Sequence, residues 1–215
     1  MTVPGGRRVI LLHGLWMPGA SMHWLSLQLR DAGYAPEIFS YHSVADGPDL
    51  AVPRLATLLQ AEGEADIVAH SLGGLIALQA LCEVPGLPVA RVVCLGSPLG
   101  GSGAAAGMLR WAPTAPLLGR SAKLLQEGLL DENGAHCWSG RARVGMVAGR
   151  VRHGLGALFA GFDGEHDGTV AVLETQLEGL ADHVVVDASH SGLLFSAEAA
   201  AQAIAFLGTG HFATG

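Results

Sequence analysis

An apolar strand that breaks at a serine and resumes as a helix constrains this chain more than any other feature. The stretch runs from Ala65 to Ala77 and carries Ala69-His70-Ser71-Leu72-Gly73 at its centre. A sharp strand-to-helix turn leaves little room for side chains two positions before and two after the serine, where alanine and glycine stand. Such a turn exposes the Ser71 hydroxyl to a base and to oxyanion donors. The alternative is an ordinary buried strand and a helix that Ser71 caps.

Strands and helices alternate along the rest of the chain, which is typical of a parallel sheet covered on both faces. Besides the strand before Ser71, the pattern predicts strands at Arg7–Leu12, Ala35–Tyr41, Arg91–Leu95, Val144–Ala148 and Val184–Asp187. Besides the helix after Ser71, which ends near Val84, it predicts helices at Ser21–Ala32, Pro53–Ala61, Ser121–Leu130, Val172–Leu180 and Ser196–Leu207. We therefore predict an α/β fold with about six strands in a single domain, residues 1–215, with a loose tail at 208–215.

Composition limits the partners of the protein. Half of the residues are hydrophobic, yet no apolar run reaches the roughly 18 residues that cross a bilayer, so no membrane span is predicted. A net charge of -7 argues against nucleic acid as a partner. The first residues lack the apolar segment of a secretory signal, which predicts a cytoplasmic location. The three cysteines are scattered without a CxxC pair and suggest neither a disulfide framework nor a metal site.

Ligands of open α/β sheets bind beyond the carboxyl ends of the strands, so functional residues are expected directly after strands. The first strand is followed by His13-Gly14-Leu15-Trp16, whose glycine lets the Leu15 amide point at a developing oxyanion. The Leu72 amide, at the start of the helix after Ser71, is the expected second donor. His13 is expected to be a hydrogen-bonded scaffold histidine, and His70 a wall of the pocket.

A carboxylate and a base are expected after the fifth and sixth strands. Asp167 lies in Asp167-Gly168-Thr169-Val170 and is the preferred acid, with Asp163 as the alternative, although either could simply form an Asp-Gly turn. His190 follows the last strand, where Nδ1 would face Asp167 and Nε2 would face Ser71. The order Ser71, Asp167, His190, each after its expected strand, favours a catalytic triad over coincidence.

With these residues the chain resembles the α/β-hydrolase superfamily, and within it the compact bacterial lipases and esterases with little or no lid. The resemblance rests on five segments: His13-Gly14, Ala69–Gly74, Gly96-Ser97-Pro98, Asp167–Val170 and His190–Ser196. It implies an α/β-hydrolase fold with Ser71 as nucleophile, His190 as base and Asp167 as its partner. It also implies main-chain oxyanion donors at Leu15 and Leu72, and no cofactor or metal.

Two segments, 99–130 and 151–162, depart from the compact family pattern and are predicted to form a small cap or to line the pocket. The candidate substrate-binding residues are apolar or aromatic: Trp16, Met17, Met108, Leu109, Trp111, Leu155 and Phe159. The alternative is that these side chains simply cover the sheet. If they line a pocket, the substrate is a small-molecule ester or lipid with an apolar acyl chain.

The sequence thus predicts ester hydrolysis through an acyl-enzyme. A thioesterase, an amidase or an acyltransferase would use the same triad, and the sequence does not separate them. A ligand-binding protein without turnover on the same scaffold is a further alternative, whose expected mark is a missing triad residue. Acyl length, oligomeric state and biological role are left open by the sequence.

Overall fold

The computed structural model describes residues 6–129, 138, 142–154, 161–162 and 164–214. Within this part of the chain, six parallel strands form one sheet in the order β2-β1-β3-β4-β5-β6. The strands are β1 (Arg8–Leu12), β2 (Ala35–Phe39), β3 (Ala65–His70), β4 (Val89–Leu95), β5 (Arg143–Gly149) and β6 (Asp182–Val186). The α-helices are α1 (His23–Asp31), α2 (Gly47–Glu62), α3 (Leu72–Glu83), α4 (Gly103–Arg110), α5 (Ala115–Leu118), α6 (Ala122–Glu127) and α7 (Ala197–Thr209).

Both faces of the sheet are buried under helices. Successive side chains of a strand point to opposite faces, and β1 contributes to two separate clusters in this way. Val9 and Leu11 pack with residues of α1 and α7, whereas Ile10 and Leu12 pack with residues of α2 and α3. A strand buried on both sides reads as a continuous apolar run. The predicted α/β fold, a six-stranded parallel sheet with helices on both faces, is confirmed.

The strand register brings the ends of the central strands to one edge of the sheet. Leu12 of β1 pairs with Ala69 of β3, and His70 of β3 pairs with Leu95 of β4. Leu95 in turn pairs with Val147 of β5. The loops that follow these strands therefore start side by side, which is where the sequence predicts the functional residues.

The helices differ from the predictions mainly next to proline and glycine. Helix α2 begins at Gly47 rather than at Pro53, and Pro53 lies inside it. Proline has no main-chain N–H and is therefore favoured in the first turn of a helix, which is why the sequence pattern places the start at Pro53. In the structure Pro48 occupies the first turn. The glycine-rich segment after β4, where no helix is predicted before Ser121, contains α4 and α5. The helix predicted at Ser121–Leu130 is α6, which Gly128 ends, and Leu130 lies outside the described residues.

Two further differences concern the last third of the chain. The helix predicted at Val172–Leu180 is only a 3-10 turn at Val172–Thr175. The predicted tail at 208–215 is anchored in its described part, because α7 continues to Thr209 and Phe212 is buried against Phe206. The Phe212 amide also donates a 2.8 Å hydrogen bond to Asp182.

The cysteines differ from the expectation as well. Cys94 is buried and free, whereas Cys82 is disulfide-bonded. Disulfides persist mainly in oxidising compartments. The cytoplasmic location stays a prediction. Among the described residues, the helices are too short or too polar to cross a bilayer.

Candidate active site

Ser71 lies in the sharp turn between β3 and α3. Its φ of 54° and ψ of -121° place a non-glycine residue in a strained conformation. A Cβ added to Gly73 would lie 2.7 Å from the His13 carbonyl oxygen and 2.8 Å from that of Leu12, so no side chain fits there. Ala69, in β3 between β1 and β4, is fully buried. The backbone thus holds the Ser71 hydroxyl at the carboxyl edge of the sheet.

The structure brings the predicted acid and base to Ser71. His190 Nδ1 lies 2.7 Å from Asp167 Oδ2, and His190 Nε2 lies 3.0 Å from Ser71 Oγ. All three residues are buried. Since a carboxylate only accepts hydrogen bonds, Nδ1 carries the proton and the free electron pair of Nε2 faces the serine hydroxyl. The arrangement can accept a proton from Ser71.

The loop that carries Asp167 fixes its carboxylate. Oδ1 accepts hydrogen bonds from the amides of Thr169 and Val170, at 2.9 and 2.8 Å, which leaves Oδ2 for His190. Val170 is buried and anchors the loop. Asp163, the alternative acid, lies outside the described residues.

Gly96, at the end of β4, makes room for this pair, a role that the sequence analysis did not assign. Its φ is 60°, and an added Cβ would lie 3.2 Å from Asp167 Oδ2 and 3.3 Å from His190 Nδ1. A side chain would therefore press on the hydrogen bond between acid and base. A glycine directly after a buried strand is the signal that could have found it.

The two main-chain amides predicted as oxyanion donors have no protein partner among the described residues. Within the described part of the chain, the amides of Leu15 and Leu72 donate to no protein acceptor. Leu72 is the first residue of α3, whose first amides lack partners within the helix and lie at its positive end. The neighbouring Trp16 amide is already used, since it donates a 3.0 Å bond to Ser43 Oγ. The Leu15 and Leu72 amides are thus free to donate, and their role at the oxyanion stays a prediction.

His13 supports the loop that carries Leu15. Its ring stacks on Tyr41 with the centroids 4.3 Å apart, and its Nδ1 lies 2.9 Å from the Gly14 carbonyl oxygen. The Tyr41 hydroxyl donates a 2.6 Å bond to the His13 carbonyl. Burial lowers the pKa of His13, which favours the neutral ring. This geometry agrees with the predicted scaffold role.

A cavity of about 430 Å³ opens beside Ser71 and His190. Of the predicted substrate-binding residues, Trp16, Met17 and Met108 line it. Two predictions differ from the structure: Leu109 packs against the core, and Trp111 is 58% exposed and does not line the cavity. Leu109 and Trp111 follow Met108 in the chain but lie outside the cavity lining. Leu155 and Phe159 lie outside the described residues.

The sequence analysis missed several lining residues, most of which are small. They are Ser102, Ala104, Ala105 and Leu125 from the segment after β4, and His153, Gly154, Thr169 and Ser191 from the loops after β5 and β6. The spacing of Ala104, Ala105 and Met108 is that of one helix face and could have indicated α4. Among the described residues, no group of His, Cys, Asp or Glu is arranged to hold a metal ion.

Solved structures with the same fold include bacterial lipases and esterases. The lipase BlEst2 of Bacillus licheniformis matches in its propeptide form with a TM-score of 0.75 and 21% identity, over 90% of this chain and 48% of that chain. Its mature form matches with a TM-score of 0.73 and 21% identity, over 97% and 93%. The metagenomic carboxyl esterase MGS0156 matches with a TM-score of 0.61 and 21% identity, over 88% and 66%.

At these identities the comparisons establish a shared fold, and the chain spans about half the length of the propeptide form of the lipase. A search of curated proteins gave no match to the sequence. The model of one protein family, described as the alpha/beta hydrolase family, matches residues 9–214. Because this match spans nearly the whole sequence and the sheet is the one the sequence predicted, the chain belongs to the alpha/beta hydrolase family.

Proposed function

We propose that the protein is a serine hydrolase that cleaves carboxylic esters with an apolar acyl chain through an acyl-enzyme intermediate. The observation that carries the proposal is the hydrogen-bonded series Asp167, His190 and Ser71 at the wall of a largely apolar cavity. A serine hydroxyl becomes nucleophilic when a base takes its proton, and an imidazole held by a buried carboxylate is suited to that task.

In this mechanism Ser71 Oγ attacks the ester carbonyl carbon while its proton passes to His190 Nε2. Asp167 holds the ring through Nδ1 and stabilises the imidazolium that forms. The amides of Leu15 and Leu72 stabilise the negative oxygen of the tetrahedral intermediate. His190 then gives the proton to the leaving alcohol, and Ser71 is left acylated. Water attacks the acyl-enzyme with His190 as base, which releases the carboxylic acid and restores Ser71.

The cavity lining supports an apolar acyl group. Ala105, Met108, Leu118 and Leu125 offer no polar side-chain group on the side built by α4 to α6. A charged or strongly polar acyl group would lose its hydration there without gaining partners, whereas an alkyl chain would gain from burial. The names of the similar structures, a lipase and a carboxyl esterase, agree with such a substrate.

Labelling with a fluorophosphonate tests the nucleophile. We expect the wild type to react at one residue, and Ser71→Ala to abolish the reaction. Ser26→Ala, which changes a buried serine of α1, is the control and should label like the wild type. A wild type that does not label would refute the catalytic proposal and favour a binding protein.

A substrate series separates the chemistries that share this triad. Nitrophenyl esters of increasing acyl length are compared with the matching thioesters and anilides. We expect turnover of the esters, with kcat/KM rising as the acyl chain lengthens. Failure on every ester together with activity on thioesters or amides would reject the ester assignment, and acyl transfer to an added alcohol in preference to water would indicate an acyltransferase.

A further inference from the structure

His70 is a buried titratable residue at the site to which the mechanism above gives no task. It precedes Ser71 directly, and its side chain is 1% exposed. Its ring centroid lies 4.7 Å from that of His190, with the ring planes inclined by 50°. On its other side the ring contacts the loop after β1, because a Cβ added to Gly14 would lie 2.9 Å from His70 Nδ1. The His70 ring thus lies between the proposed oxyanion loop and the proposed base.

One nitrogen of His70 is bonded to the main chain of His190. His70 Nε2 lies 2.9 Å from the His190 carbonyl oxygen. A carbonyl oxygen only accepts, so Nε2 carries the proton and donates it there. Burial, followed by the proximity of His190, lowers the pKa of His70 to about 3, so the ring is neutral at neutral pH. His70 therefore brings a hydrogen-bond donor to His190 without adding a charge beside it.

The environment of the other nitrogen of His70 argues against a role in packing alone. Nδ1 is buried and has no hydrogen-bond partner among the described residues. A buried polar atom without a partner is unfavourable and calls for an explanation. A phenylalanine ring would fill much the same space without burying an unpaired nitrogen, so packing alone does not account for a histidine at this position.

The main chain of His190 is held at both of its polar groups. Its amide donates a 3.0 Å bond to the Asp167 carbonyl, and its carbonyl accepts the bond from His70. These main-chain bonds add to the side-chain bonds of His190, which are 2.7 Å to Asp167 and 3.0 Å to Ser71. Because His70 and Ser71 are joined by one peptide bond, the His70 bond ties the backbone of the base to the backbone of the nucleophile.

From this arrangement we infer that His70 is a positioning residue, which holds His190 at the correct reach from Ser71 through the bond from its Nε2 to the His190 carbonyl. The inference rests on the proposed function, since it concerns the reach between the proposed nucleophile and base. It assigns His70 no contact with the reacting atoms, because its one N–H is used by the main chain. Displacements of about 1 Å at a reacting pair can cost on the order of 100-fold in rate.

Two substitutions at the same position separate the bond from the bulk. His70→Phe keeps a ring and removes the donor, whereas His70→Gln carries an amide nitrogen the same number of bonds from Cα as Nε2. We expect His70→Phe to lower kcat at least about tenfold, with KM changed less than about twofold and the melting temperature changed less than about 4 °C. His70→Gln should recover most of kcat. The same substitutions at His183, which bonds Thr175 away from the site, should leave kcat unchanged.

A readout without substrate keeps the inference testable apart from the proposed function. The Nδ1 proton of His190, assigned by its loss in His190→Asn, should give a low-field NMR signal that broadens or shifts in His70→Phe and returns in His70→Gln. A wild type that neither labels nor hydrolyses esters, but shows these changes, would defeat the proposed function and leave the positioning role standing. Wild-type kcat and an unchanged His190 signal in His70→Phe, or equal losses in both variants, would overturn the inference.

Discussion

The two walls of the cavity are built in different ways. The reaction wall consists of Ser71 and His190, which line the cavity, together with Asp167, which bonds His190 Nδ1. All three residues follow strands of the sheet, and hydrogen bonds of 2.7 and 3.0 Å join them. The insertion wall consists of α4 to α6, which lie between β4 and β5 and face the cavity mainly with apolar side chains. Hydrogen bonds fix positions and directions, whereas apolar contacts define a volume. We therefore expect the first wall to set the rate for every substrate and the second to set the preferred acyl length.

The largest effect is expected from Asp167→Asn on the reaction wall. The asparagine oxygen would keep the two main-chain amides that Oδ1 accepts, so the NH2 group would face Nδ1 and favour the wrong tautomer of His190. We therefore expect kcat to fall by roughly 10⁴-fold for short and long esters alike. Steady-state kinetics on both ester lengths measures this. Asp163→Asn is the matched control, and wild-type activity of Asp167→Asn with a large loss in Asp163→Asn would move the acid to residue 163.

The second effect concerns the stability of the folded chain in acid and arises from His70, next to the reaction wall. Because the pKa of His70 is lowered to about 3 in the folded chain, the unfolded chain binds more protons below about pH 6.5, and stability falls as the pH falls. Between pH 7 and pH 5, His70 should lower the free energy of unfolding of the wild type by about 2 kcal/mol. His70→Phe should not show this loss. Urea unfolding of both proteins at the two pH values gives the difference. Equal losses would mean that His70 is protonated in the folded chain.

The third effect distinguishes the insertion wall from the reaction wall. Ala105 lies on α4, is 4% exposed and lines the cavity. Ala105→Leu adds three carbon atoms there and should lower kcat/KM about tenfold for esters with long acyl chains. For the acetate ester, kcat/KM should change less than about twofold. Ala106→Leu, on the same helix but away from the cavity, is the control. A uniform loss on all chain lengths would show that the two walls are not separable.

The smallest effect is expected where the two walls meet. Ser43 Oγ accepts the Trp16 amide at 3.0 Å and holds Trp16 at a φ of 58°, next to the Leu15 amide. The Ser43 carbonyl accepts a 2.5 Å bond from Ser121, at the start of α6. Ser43→Ala should lower kcat about fivefold at every acyl length, as expected for one lost hydrogen bond of about 1 kcal/mol. Ser121→Ala should instead change the chain-length profile. If Ser43→Ala instead changed the chain-length profile and Ser121→Ala lowered kcat at every length, α4 to α6 would determine the position of the oxyanion loop.

The reaction wall was largely predictable because its signals are local. A continuous apolar strand, a small residue, a serine and a glycine specify the turn at Ser71, and the order of Asp167 and His190 after later strands follows from the topology of a parallel sheet. The structure brings these residues within hydrogen-bonding distance, as predicted. Their catalytic roles remain the proposal that the labelling and kinetic experiments test.

The insertion wall was predicted less well for a physical reason. Glycine, proline and serine recur in the segment after β4, so propensity favours loop. Helix α4 nevertheless forms, because Ser102 caps it and Ala104, Ala105 and Met108 are buried. Tertiary burial here overrides local preference. The same effect separates Met108, which lines the cavity, from Trp111, which does not.

By itself the sequence determined the parallel α/β sheet, the turn at Ser71 and the order of the candidate triad, because strand burial and turn chemistry act over a few neighbouring residues. Only the tertiary structure decided which side chains form the cavity, that Gly96 makes room for the acid and base, and that His70 donates to the His190 carbonyl. These contacts join residues far apart in the chain, up to 120 positions in the case of His70, and no local pattern encodes such a distance.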